Sequence, residues 1–70
     1  MIVDGKIYDQ LEELIDQHGL STISGVMADV CYDKSKQHAA EFFDMKVSKS
    51  WLKFGTLFES IKETSEKEIP

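Results

Sequence analysis

Ile23-Ser24-Gly25-Val26-Met27-Ala28-Asp29-Val30-Cys31-Tyr32 is the stretch on which the fold turns. Within it Ile23, Val26, Met27, Val30 and Cys31 recur at intervals of three and four. That periodicity marks one face of an α-helix, not the alternation of a strand. Carried forward, the same face presents Lys34, Gln37 and His38. A buried polar group left without a partner costs about 1–3 kcal/mol. Either the stripe leaves the core there or those three side chains form a polar site between helices, closed by Trp51 or Phe54.

Working outward from this helix, Ser21 is placed to cap it, with Leu20 as the apolar residue before the cap. The pattern predicts a helix as far as Phe43, about 22 residues and roughly 33 Å. Gly25 lies near its start, where it marks either a helix beginning displaced to Ser24 or a close helix crossing. Upstream, Ile7, Leu11, Leu14 and Ile15 share a face of a first helix. Asp4 is its expected cap, Val3 and Tyr8 a hydrophobic staple, and Gly19 its end. A hairpin over residues 2–8, turning on Asp4-Gly5, is the competing reading. Downstream, Asp44 is the expected cap of a third helix from Met45 to Thr64. Val47, Trp51, Phe54, Phe58 and Ile61 alternate in spacing by four and three, a seam suited to antiparallel packing. Leu57 widens that stripe, and Leu52 falls outside it. The expected fold is all-α, a three-helix antiparallel bundle or a helical hairpin with a short first helix. A single domain spans residues 1–64, and a polar tail over 65–70 is expected to fray.

The chain has 70 residues and a net charge of −5. A domain of this length buries only about 60% of the surface its unfolded chain exposes, so self-association is a natural way to enlarge the core. Cys31 is the only cysteine, which excludes an internal disulfide and a zinc-binding cysteine set and fits a reducing cytoplasm. Met1-Ile2-Val3 runs straight into Asp4, unlike a secretory signal, and no apolar run approaches the ~20 residues of a membrane span. Charge is unevenly placed. Residues 1–33 hold seven acids against Lys6, while residues 34–58 hold five lysines against Glu41 and Asp44. There is no arginine, which argues against sequence-specific DNA binding.

No catalytic constellation emerges. His38 lies two helical turns beyond Cys31, about 10.5 Å along the axis, too far for direct proton transfer. The same distance, and the short ligand count, speak against a metal site, and no cofactor is expected. Cys31 reads as a small core residue and His18 as a helix-end residue near the last carbonyls. The acids Asp9, Glu12, Glu13 and Asp16 form a solvated face of the first helix, or an acidic surface for a basic partner. Tyr32, Phe43, Ala28 and Ala39 form a second apolar strip on the central helix, and Phe42 and Phe43 cannot both face one core. Tyr32, Phe42, Phe43 and Leu52 are therefore the expected interface, with a homodimer as the expected assembly.

From Gly19 to Trp51 the chain resembles a family of short uncharacterised helical proteins of cyanobacteria, other bacteria and some phages. Gly19-Leu20, Val30-Cys31, Lys34, Asp44 and Trp51 fall at the matching positions. The family's histidine position holds Gln37, with His38 beside it, its Trp-Gln pair is replaced by Phe42-Phe43, and the small residue after the lysine is Ser35. The resemblance brings no activity, cofactor or partner. It implies only a framework of Cys31, Lys34, Asp44 and Trp51, with Asp44 capping and Trp51 packing.

The function expected from the sequence is a small acidic cytoplasmic protein-binding module, not an enzyme, docking a protein partner through helix faces. Two alternatives stand beside it. One is nucleic-acid binding through the basic amphipathic stretch Lys46 to Lys53. The other is a small-ligand or enzymatic site at Lys34, His38 and Trp51.

Overall fold

The computed structural model describes residues 5–69 and contains three helices: α1 (Gly5–His18), α2 (Leu20–Ala40) and α3 (Met45–Glu68). The all-α expectation holds. Helices α2 and α3 pack along their length as an antiparallel hairpin, and α1 meets α2 only sparsely and α3 not at all among the described residues. The molecule is therefore a hairpin with an appended helix, not a three-helix bundle.

Each corner has a local cause. Helix α1 ends as the Gly19 N–H donates to the Ile15 carbonyl at 2.7 Å, and α2 begins as the Ile23 N–H donates to the Gly19 carbonyl at 3.2 Å. Gly19 alone makes the bend, at φ 85° and ψ 152°, a backbone region open essentially to glycine. It is also the N-cap of α2, which starts at Leu20 and has no side-chain cap bond, so Ser21 is not the cap. Gly25 consequently lies inside the helix. Residues 5–8 are helical, which excludes the second arm of the hairpin reading. Asp4 and Val3 lie outside the described residues.

Helix α2 stops at Ala40, short of Phe43. Phe43 adopts φ 53°, a left-handed conformation uncommon for a bulky residue, and the Asp44 N–H closes the turn on the His38 carbonyl at 3.0 Å. Asp44 then caps α3 as expected, its Oδ1 accepting from the Val47 N–H at 3.1 Å. Helix α3 extends past Thr64, where the sequence pattern placed its end. It runs through Glu68, with Ser65 buried.

The hairpin's contact surface differs from the one the apolar stripe predicts. On α2 the buried residues are Ser24, Ala28, Cys31 and Ser35; on α3 they are Ser48, Gly55 and Ser65. Ala28 is 1% exposed and Cys31 5%. Val26, Met27 and Val30, expected in the core, are exposed, Val26 and Val30 to about half their surface. The seam is thus rotated from the stripe by roughly a quarter turn of the helix. The physical reason is the closeness of the backbones. Ser35 Oγ donates to the Ser48 carbonyl at 2.8 Å, and Ser48 Oγ donates to the Ser35 carbonyl at 2.8 Å. The two hydroxyls lie 3.0 Å apart. Such a reciprocal clasp forms only where no large side chain separates the helices. Farther along, a Cβ on Gly55 would stand 2.6 Å from Tyr32 Cε1, so the tyrosine ring lies flat on bare backbone. At the open end the Lys62 stem crosses Gly25, where a Cβ would lie 3.3 Å from Cδ.

Candidate functional site

Because small residues form the seam, the large apolar side chains gather beside it. Helical geometry places Ile23, Met27 and Val30 on one flank of α2, and Phe54, Leu57 and Ile61 on one flank of α3. The two flanks lie on the same side of the hairpin. Leu20 of α2 shares an open hollow of about 560 Å³ with Leu57 and Ile61 of α3 and with Ile69 just past its end. At the other end His38 stacks on Trp51, with centroids 6.4 Å apart and planes at 17°. Trp51 meets Phe54 edge-on at 5.8 Å. Met27, Val30, Phe54, Leu57 and Ile61 are all exposed, which makes this flank the candidate interaction surface.

The opposite side of the hairpin is polar. Ser21, Gly25, Asp29, Glu59, Lys62 and Glu66 line a groove there. Tyr32 belongs to this side. A hydrogen bond with Thr56 favours its ionised form, but desolvation, a hydrogen bond with Glu59 and the charges of Glu59 and Asp29 outweigh it. The phenol pKa is therefore held above its ordinary value.

Helix α1 carries a second apolar stripe. Tyr8, Leu11 and Leu14 are exposed, Ile15 is half-buried beside the Gly19 corner, and no α1 residue is buried. Its acids Asp9, Glu12, Glu13 and Asp16 lie off that stripe.

The residues expected at an interface do not form one patch. Tyr32 covers Gly55 within the hairpin, so it is an internal packing residue and not a free anchor. Phe42 meets His38 at 5.2 Å with the two rings tilted by 48°, and His38 in turn stacks on Trp51. Phe43 is 83% exposed in the loop. Leu52 is exposed on the flank of Thr56 and Glu59, across α3 from Phe54. Nor do Lys34, Gln37 and His38 close into an interhelical pocket. His38 is half-buried in the aromatic stack, while Lys34 and Gln37 are exposed and border a shallow depression with Val30, Asp33 and Glu41. Lys46, Lys49 and Lys53 are exposed along the outer side of α3.

Among the described residues no group of three or more His, Cys, Asp or Glu side chains could hold a metal ion. Among them, too, no helix is long and apolar enough to cross a membrane, and no buried side-chain nitrogen or oxygen lacks a hydrogen-bond partner. Comparison with known protein families, curated proteins and solved structures finds no match.

The open apolar flank is what sequence reasoning missed. The signal was present as Ser24, Ala28, Cys31 and Ser35, spaced four, three and four, facing Ser48 and Gly55, seven apart. Small residues at helical spacing on both arms of a hairpin announce close packing.

Proposed function

We propose that this chain is a protein-binding module that works by helix-face docking and not by catalysis. One observation carries the reading. The hairpin closes on serines, alanine, cysteine and glycine, while Met27, Val30, Phe54, Leu57 and Ile61 remain on one exposed flank. A flank about one helix wide between two helices accepts the apolar stripe of an amphipathic helix, the helix-in-groove mode of recognition. Lys34 on α2 and Lys46 and Lys53 on α3 border that flank together with Asp33, Glu41 and Glu68, so its rim carries both signs of charge. The same lysine row is the feature that supports nucleic-acid binding. The absence of arginine and the net charge of −5 weigh against that use. A cytoplasmic setting accords with the single free cysteine.

The reading is tested by placing a photocrosslinking residue at Leu57, on the apolar flank, and separately at Asp29, on the polar side, in cells of the native host. Discrete protein adducts at Leu57, absent at Asp29, are expected. Equal labelling at both positions, or none at Leu57, would overturn docking at this flank.

A further inference from the structure

We infer that α1 is an arm that swings at Gly19 and gives up its helix by itself, while the hairpin of α2 and α3 stays closed. This inference stands apart from the docking reading above.

The joint is built for rotation. The Gly19 N–H donates to the Ile15 carbonyl, so it belongs to the end of α1. The Gly19 carbonyl accepts from the Ile23 N–H, so it belongs to the start of α2. Between these two groups lie only the N–Cα and Cα–C bonds, the ones that φ and ψ turn. Rotation about them re-aims α1 and leaves both hydrogen bonds whole. Gly19 sits at φ 85° and ψ 152°, and a residue without a Cβ passes readily between positive and negative φ. No heavy atom lies within 4 Å of where its Cβ would stand. Hinges are a few residues, at the ends of elements, that absorb such a change.

Little holds the arm down. Within α1, Ile15 is half-buried and every other residue is exposed. Its backbone approaches α2 sparsely and α3 nowhere among the described residues. The hairpin is held quite differently. Ala28 and Cys31 are buried in its seam, the Tyr32 ring lies on Gly55, and Ser35 and Ser48 exchange two hydrogen bonds. All of these groups lie on α2 and α3.

Regions with few buried apolar contacts open at a lower free energy than the core, as separate units. Once swung clear, α1 is a lone helix of 14 residues. Isolated helices of that length are marginal in water, so the swing lets its amide groups exchange with solvent. The hairpin and its apolar flank persist throughout. Docking at that flank therefore does not require α1 in its observed position.

Amide hydrogen exchange on the full chain, followed by NMR across sub-denaturing urea concentrations, tests this. Relative to intrinsic rates, the amides of residues 9–18 should exchange at least ~100-fold faster than those of Ala28 and Cys31. Their rates should rise only shallowly with urea, because opening the arm exposes little surface, whereas the seam amides should speed up steeply. Ser35→Ala loosens the hairpin alone. It should speed exchange at Ala28 and Cys31 about fivefold and leave residues 9–18 unchanged. Three results would overturn the inference: protection in α1 equal to that of the seam, a urea dependence in α1 as steep as the seam's, or α1 amides that quicken in step with the seam in Ser35→Ala.

Discussion

The two sides of α2 make a contrast. One side, through Ser24, Ala28, Cys31 and Ser35, is the most buried surface in the molecule. The other, through Met27 and Val30, carries larger and more apolar side chains and is open. Hydrophobicity alone ranks these faces in the reverse order. The inversion shows that two separate packing problems share one helix. Small residues let α2 and α3 approach closely enough for side chain to meet backbone, as at Ser35 and Ser48. Large residues suit a wider gap, one of the width that a further helix would need. In a single chain only the first gap is filled.

Substitutions that load the small-residue side should have the largest effect. Gly55→Val forces a side chain into the Tyr32 ring, and overpacking of this kind costs about 1–3 kcal/mol. Urea unfolding at fixed protein concentration should place it at the upper end. A change under about 0.5 kcal/mol would mean that the ring yields freely and that the seam is not close. Gly19→Ala comes next, at about 1–3 kcal/mol, because the corner requires a glycine-only conformation. The same unfolding assay reads it, and an unchanged midpoint would show that α1 can leave α2 at another angle.

The serine clasp is a smaller contribution. Ser35→Ala and Ser48→Ala should each cost about 1 kcal/mol. The double variant should cost less than the sum, since the two hydroxyls share one network. Additive losses would separate them. At the loop, Phe43→Gly should stabilise by up to about 1 kcal/mol, by relieving a left-handed phenylalanine whose ring is mostly in water. Destabilisation would show that the Phe43 ring is packed against something outside the chain.

The smallest effect is on the polar side. The Tyr32 pKa is raised from its ordinary 10.0, so the folded chain holds this proton more tightly than the unfolded one. That contribution is complete below the unfolded value and is lost as pH rises through the higher folded one. Stability should therefore decline slightly above pH 10, and Tyr32→Phe should flatten the decline. An identical alkaline profile in the variant would assign the decline to another group.

Much of the secondary structure was legible in the sequence. Asp44 announced the start of α3, the three-and-four spacing announced both long helices, and Gly19 announced a corner. Helix boundaries were less so. Ser21 is a good capping residue in general, but here Gly19 takes the role because the chain must bend through a glycine-only conformation. The continuation of α2 to Phe43 was a fair extrapolation of periodicity, broken by a left-handed residue that no glycine or proline marks. The face of α2 that becomes the seam was not read correctly, because apolar periodicity reports which face avoids water and not which neighbour covers it. Tyr32 was assigned to an interface for the same reason. It does cover an apolar spot, but that spot is Gly55 of its own hairpin. His38 was placed with Lys34 and Gln37 by spacing along one helix and with Trp51 across the hairpin; it stacks on Trp51, with Phe42 joining from four residues on, while Lys34 and Gln37 stay outside the stack.

The most direct test of the account is the reactivity of a thiol on each side of α2. Cys31 is buried in the small-residue seam, and Val30 beside it is exposed to about half its surface. The account predicts slow alkylation of Cys31 in the native chain and fast alkylation of the thiol in Cys31→Ala with Val30→Cys. Equal rates at the two positions, or a faster Cys31, would contradict it.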